Sequence, residues 1–384
     1  MKNGEIKRVV HVVSDMHRGG AETMIMNLYR NIDRSKLQFD FICHYRKDDV
    51  NSSNKKIDYY DEIIKLGGRI LRIPSLGTSN PIEYVLNIKR VLKENGPYEA
   101  IHVHTNKQAG FALLGARLAK IKKRIVHSHT AQWRYGNEFF SNILKNLVYL
   151  NATRYCVCGE KAGIEAFGEK IYNSTKTYII SNAIEIDKFY NNDDILCKKI
   201  AKELEINKDT VVIGHVGRFD VEKNHRFIVE LAKRLRNNKR NFIILLVGSG
   251  PMQEEIQNEI KKQNLDKYIK FLGVRQDVHL LMKIFDVFIL PSLFEGLPLV
   301  SIESQAAGTK CITSDQVTNE IDMGLNLVRQ LPTTENALEL WEEEIFKFDT
   351  PNLDEEIILQ SLTQKGYNVE KNVNKLYELY GLNI

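Results

Sequence analysis

The chain has 384 residues, 43% of them hydrophobic, which is the length of about two domains and enough apolar material for two buried cores, so global disorder is excluded. Its 54 Lys and Arg against 49 Asp and Glu leave a net charge of only +5, which argues against a dedicated nucleic-acid binder. The five cysteines (Cys43, Cys156, Cys158, Cys197, Cys311) are odd in number and lack a C-x2-C pair, so neither a disulfide framework nor a zinc knuckle is expected, and a reducing cytoplasm is.

In chain order, the apolar run at residues 9–13 leads into Arg18, Gly19 and Gly20 and then AETMIMNLYRNI at helical spacing, a strand, a glycine turn and a helix. The strand and the glycines come before any secretory core of sufficient length, and no apolar run reaches the ~18 residues that span a bilayer, so membrane contact is expected to be peripheral at most. Further strands are predicted at residues 39–43, 69–74, 100–104 and 124–129, with helices ending at the Gly67-Gly68 pair and at Gly96, and a surface loop at 47–58. After the polar stretch 191–209 the alternation resumes, with strands at 211–218, 241–250, 268–273, 286–292 and 310–315. The pattern predicts α/β architecture written twice: two doubly wound, Rossmann-like parallel sheets, with a boundary near 183–210 and ligands at the strand C-terminal ends along a central cleft.

Three places in the sequence suit an anionic, hydroxyl-rich ligand. Gly19 and Gly20 let backbone approach a ligand at a helix N-terminus. Gly217-Arg218 ends a strand, and Lys223 follows five residues after Arg218, so two cations can converge on a diphosphate. In the segment from Pro291 to Glu303, Gly296 permits a sharp turn, Pro298 suits a helix start, and Glu295 and Glu303 offer two carboxylates to a polyol.

His102 with His104, and His127 with His129, each place two imidazoles on one strand face. Metal binding is not expected from them, since no carboxylate ligand is near in sequence and neither H-E-x-x-H nor D-x-D occurs. His129, just before Thr130, is the best single candidate for a functional imidazole.

Taken together, GGAE at 19–22, HSH at 127–129, GRFDVEKN at 217–224, VGSGP at 247–251, FLGVRQDV at 271–278 and the E-x7-E pair Glu295 and Glu303 resemble the retaining glycosyltransferases of family 4, the group 1 transferases of GT-B architecture. The look is nearest to bacterial capsule and exopolysaccharide enzymes. The resemblance implies that residues 1–185 form an acceptor-side domain, that 186–367 bind the nucleotide sugar, and that a C-terminal helix at about 368–384 packs back on the first domain. It also implies roles: the Gly19-Gly20 turn lends a backbone amide to the donor diphosphate, and Arg218 and Lys223, beside Gly217, neutralise it. Val274 and Arg275 meet the nucleobase, and Glu303 holds the ribose. Glu295 and the amides around Gly296 to Leu299, those of Gly296, Leu297 and Leu299 with Pro298 shaping the turn, address the transferred sugar, and His129 stands beside that sugar. The catalytic set is then His129, Arg218, Lys223 and Glu295. The chain departs from the family pattern at Asn182-Ala183 and at Val317-Thr318-Asn319-Glu320.

The expected activity is transfer of a hexose-type sugar, with retention and without metal or other cofactor, from a nucleoside diphosphate donor, UDP foremost, to a lipid-linked or glycan acceptor in cell-surface polysaccharide biosynthesis. A cytoplasmic location is expected, with the helix at 138–150 and the Lys122-Lys123-Arg124 cluster as candidates for docking on an anionic membrane and core packing as the alternative. The rivals are a nucleotide-sugar epimerase on the same architecture and a non-catalytic sugar-nucleotide-binding subunit.

Overall fold

Runs such as VVHVV, broken only by one histidine, and FIILLV are apolar on both strand faces, so they can be covered on both sides, the condition for a parallel sheet. In the computed structural model, which describes residues 6–17, 19–46, 58–106, 108–129, 138–189, 194–347, 351 and 353–383, they build two parallel sheets in two compact units. The units are Met1–Ile184 with Gly366–Ile384, and Glu185–Lys365. Apart from Asp58, the predicted surface loop at 47–58 lies outside the described residues.

The first unit has seven strands: β1 (Lys7–Val13), β2 (Leu37–Tyr45), β3 (Arg69–Pro74), β4 (Ala100–Val103), β5 (Lys123–Ser128), β6 (Arg154–Val157) and β7 (Thr177–Ile179). Their order is β3-β2-β1-β4-β5-β6-β7, so the winding reverses between β1 and β4. One face of this sheet packs Val9, Phe39 and Phe41 against Tyr29 of the helix Gly20–Asn31 and against Leu376 and Tyr380 of the C-terminal helix Val369–Tyr380. The Asp33 amide donates to the Tyr377 hydroxyl at 2.8 Å, tying that last helix to the end of the first. The other face packs Val10, Val12 and Ile101 against Tyr84, Ile88 and Leu113. Within the sheet, fully buried Asp40 on β2 accepts from Arg8 of β1 and Arg69 of β3, each with Nε at 3.0 Å, and from Tyr98 at 2.9 Å.

The second unit has β8 (Val211–Val216), β9 (Phe242–Val247), β10 (Ile269–Gly273), β11 (Val287–Leu290), β12 (Lys310–Ser314) and β13 (Val328–Leu331) in the order β10-β9-β8-β11-β12-β13, again parallel, with the reversal between β8 and β11. Its core gathers Ile213, Ile244, Ile289 and Trp341. Buried Glu342 accepts from Arg234 at 2.7 Å, Arg240 at 2.8 Å and Asn238 at 2.7 Å.

The sequence reading has no counterpart for β6, β7 and β13. Each has only three or four residues, and β7 and β13 are sheet edges whose side chains alternate or stay half-exposed, leaving no apolar run to read. The helix Glu138–Asn151 buries Leu144 and Val148 against the first unit while Ile143 and Leu150 stay exposed. Of the basic cluster, Arg124 donates to the Asn151 and Ile121 carbonyls at 2.7 Å and Lys123 pairs with Glu99 at 3.4 Å, whereas Lys122 is exposed.

Candidate functional site

In the second unit the residues singled out gather around the C-terminal ends of β8 and β11, the two strands that flank its switch point. The β8 end stays tight because Gly217 donates to the Val247 carbonyl at 2.9 Å. Behind it Gly248 has φ +135°, and a Cβ there would lie 2.0 Å from the Gly217 oxygen, so only glycine fits. Beyond Arg218 the chain turns, and Asn224, in the left-handed region at φ 54°, donates to the Pro291 carbonyl at 3.1 Å. The Leu293 amide donates to the Glu222 carbonyl at 2.8 Å, so the two loops are stitched together.

That stitching brings Lys223 and Glu295 into a direct ion pair, while the Ser292 hydroxyl donates to the same carboxylate oxygen at 2.8 Å. The two residues assigned to separate parts of a donor therefore hold each other. Arg218 is exposed and forms no ion pair among the described residues. Gly296 is exposed, and a Cβ there would meet nothing within 4 Å. Leu297 and Leu299 are partly buried, and Pro298 is buried as the cap of the helix Leu299–Ala306, whose first amides have no acceptor inside the helix. Glu303 lies one turn into it, and burial pushes its carboxyl up to about 7, with Lys188 pulling the other way. Val274 is exposed, whereas Arg275 is occupied by Asp277 in a two-point pair at 2.8 and 2.5 Å.

Sequence reasoning passed over what lies beneath. His215 on β8 is buried, bonds the Ile289 carbonyl through Nδ1 at 2.9 Å, and brings Nε2 to 3.1 Å of where a Gly217 Cβ would sit. Burial holds it neutral, and its one-letter place in VVIGHVGR carried no signal beyond that of a strand residue.

In the first unit Gly19 caps the helix Gly20–Asn31 without a side-chain bond, and the space before Gly20 is open, with nothing within 4 Å of a Cβ. Arg18 and the loop from Thr130 lie outside the described residues. The two histidine pairs come together as the strand register dictates, and β1 adds His11, directly opposite His102. His11 Nδ1 meets His104 Nε2 at 2.9 Å, and His104 Nδ1 meets His129 Nε2 at 2.8 Å. Burial drives all five imidazoles down, His11 to about 3, His129 to about 4 and the others well below the usual value, so all are neutral near pH 7.

Neutral nitrogens are also metal ligands, and three sets lie within 4.8 Å of one another: His11, His102 and His104; His102, His127 and Cys156; His104, His127 and His129. In the first set His11 already bonds His104 at 2.9 Å and in the third His129 bonds it at 2.8 Å, each closer than the roughly 3.3 Å that two ligands of a tetrahedral ion at ~2.0–2.1 Å would keep. The second set, wholly buried, has no such bond between its histidines, and its Cys156 Sγ lies 3.6 Å from His127 Nε2.

Comparison with known proteins follows the same division. Residues 18–188 match the family model described as Glycosyltransferase Family 4 and residues 197–323 that of Glycosyl transferases group 1. EpsF of Bacillus subtilis (strain 168), named a glycosyltransferase, is 41% identical over 99% of this chain and 98% of its own. The UDP-Gal:alpha-D-GlcNAc-diphosphoundecaprenol alpha-1,3-galactosyltransferase of Escherichia coli is 26% identical over 94% and 96%. The crystal structure of Anabaena Alr3699/HepE in complex with UDP superposes with a TM-score of 0.72 over 98% of this chain and 100% of that one, at 17% identity, a likeness of fold. Two parallel sheets, each with one winding reversal, two matching family models and 41% identity along nearly the whole chain place this protein in the group 1, family 4 glycosyltransferases of GT-B fold.

Proposed function

We propose that this glycosyltransferase moves a hexose-type sugar from UDP to a hydroxyl of a lipid-linked or glycan acceptor in cell-surface polysaccharide assembly, with retention and without a metal or other cofactor. The observation that carries the reading is the Lys223, Glu295 and Ser292 cluster at the β8 and β11 ends. It sets a cation for phosphate and a carboxylate for sugar hydroxyls beside a helix start.

In this reading Lys223 and Arg218 take the diphosphate, and Glu295 and the amides from Gly296 to Leu299 take the sugar. Glu303 takes the ribose, Val274 and Arg275 take the base, Arg275 leaving Asp277 to do so, and Gly217 leaves room for the phosphates. The Gly19-Gly20 turn adds an amide to the diphosphate, and His129 meets the transferred sugar. The UDP-Gal and diphosphoundecaprenol in the name of the Escherichia coli relative, and the UDP bound by the Anabaena protein, support the nucleotide and the lipid-linked acceptor. Exposed Ile143, Leu150 and Lys122 support peripheral contact with the cytoplasmic membrane face, where such an acceptor would stand.

The purified chain is tested with UDP-, GDP- and ADP-sugars against a polyprenyl-diphosphate-linked sugar. Extension of the lipid-linked sugar from one UDP-sugar is expected. Turnover of a UDP-sugar to an isomer with no acceptor present would overturn the reading.

A further inference from the structure

We propose that Tyr380, His11 and His104 are positioning residues that form a buried hydrogen-bonded wire, which fixes His129 as its Nε2–H tautomer and leaves Nδ1 bare as a hydrogen-bond acceptor for a sugar hydroxyl. The links run from His129 Nε2 to His104 Nδ1 at 2.8 Å and from His104 Nε2 to His11 Nδ1 at 2.9 Å. They continue from His11 Nε2 to the Tyr380 hydroxyl at 3.5 Å and from that hydroxyl to His102 Nδ1 at 2.8 Å. They join β5, β4 and β1 to the C-terminal helix, inside one unit.

A neutral imidazole carries one N–H and one lone pair, so a ring that donates through one nitrogen accepts through the other. Every ring here is held neutral by burial, and so are the flanking His127 and the Cys156 thiol. The polarity of the wire is therefore set as a whole: turning one ring's proton around turns all of them.

Its sense follows from the Tyr380 end. A phenol O–H is a stronger donor than a neutral imidazole N–H, and an imidazole lone pair a stronger acceptor than a phenol oxygen, so the closer of the two contacts is the one that the hydroxyl proton occupies. The 2.8 Å contact is thus the Tyr380 O–H donating to His102 Nδ1, and the 3.5 Å contact is the His11 Nε2–H approaching the same oxygen. Alternation then makes His11 Nδ1 accept from His104 Nε2–H, and His104 Nδ1 accept from His129 Nε2–H. His129 Nδ1 is left with a lone pair, and that atom is buried and without a partner among the described residues. A buried acceptor left unpaired is costly, and a ligand hydroxyl would satisfy it.

The acceptor role rests on the reading of His129 as a sugar contact; the tautomer does not, and the experiment separates them. In full-length protein labelled with 15N-histidine, with the His129 signal identified by its loss in His129→Gln, long-range 1H–15N correlation shows which ring nitrogen carries hydrogen. The wild type is expected to show Nε2–H alone. Tyr380→Phe removes one hydroxyl and keeps the ring, and His11→Phe cuts the wire at a second point. Each is expected to give mixed tautomers at His129 and to lower kcat/KM about tenfold, roughly the worth of one hydrogen bond. An Nδ1–H wild type, or an unchanged His129 in the folded variants, overturns the wire. Mixed tautomers with unchanged kcat/KM overturn the acceptor role and with it the sugar contact of His129.

Discussion

At the scale of single residues, Lys223 and Glu295 form one ion pair, so the cation and the carboxylate of the candidate site are coupled. In the proposed reading, a diphosphate drawn to Lys223 loosens its hold on Glu295, which is then freer to meet the sugar. Arg218→Ala and Lys223→Ala are each expected to lower kcat about 10²- to 10³-fold, or ~2.7–4 kcal/mol, the usual loss when one group facing developing charge is removed. Turnover near the wild-type rate at saturating donor would remove that residue from the diphosphate site. If Glu303 takes the ribose as proposed, it gives a pH signature, since burial raises its carboxyl to about 7 and an ionised carboxylate is the better acceptor for two hydroxyls. Donor affinity should rise as pH rises through about 7, and Glu303→Gln should flatten that rise in a titration between pH 6 and 8. Lys223, Glu295 and Glu303 were legible as candidates because turn residues and charges share short segments. The pairing of Lys223 with Glu295 across 72 positions was not, because it depends on the side-by-side register of β8 and β11. The same limit hid His11, a lone histidine in an apolar run until β1 and β4 are set in register.

At the scale of elements, the parallel sheets were readable where a strand is long and covered on both faces, as β1, β2 and β9 are, and not where three or four residues pair at or beside a sheet edge, as at β6 and β7. One buried charge shows how the strands are locked. Asp40 on β2 would be held up by burial, but hydrogen bonds from Arg8, Arg69 and Tyr98 outweigh that and lower its carboxyl below the usual range. Its contribution to stability is then present above the unfolded carboxyl value of about 3.9 and lost as pH falls through the lower folded one. Asp40→Asn leaves two guanidiniums without their anion, and because both reach solvent the expected cost is about 2–4 kcal/mol, below that of a wholly buried pair. Urea unfolding at pH 7 measures this, and the gap between wild type and variant should close as the pH is taken below 4; a gap independent of pH would mean that packing, not charge, is what the variant loses.

At the scale of the whole molecule, the proposed reaction calls for charge stabilisation more than for a nucleophile. Activity is expected to persist in EDTA, because Arg218, Lys223 and helix amides provide positive potential without a divalent ion. Collapse on chelation, restored by a divalent ion, would direct attention to His102, His127 and Cys156. The stereochemical prediction follows from the same reasoning. A double displacement would require a carboxylate free to attack the anomeric carbon, as in retaining glycosidases. Glu295 is the candidate, yet one of its oxygens already accepts from both Lys223 and Ser292, which lowers its nucleophilicity and suits it to receiving hydrogen bonds from the sugar. The remaining path to retention is entry of the acceptor hydroxyl on the face from which the diphosphate departs, with the leaving oxygen taking the proton and the bond to the old oxygen breaking as the new one forms. Such a path is limited by how well the departing diphosphate is stabilised, which in the proposed reading is the task of Arg218, Lys223 and the helix start after Pro298. The anomeric coupling constant of the first-formed product, set against that of the donor, is expected to show the same configuration. An inverted product would overturn the proposed retention, while a glycosyl adduct trapped on Glu295 would keep retention and replace the front-face path with a double displacement.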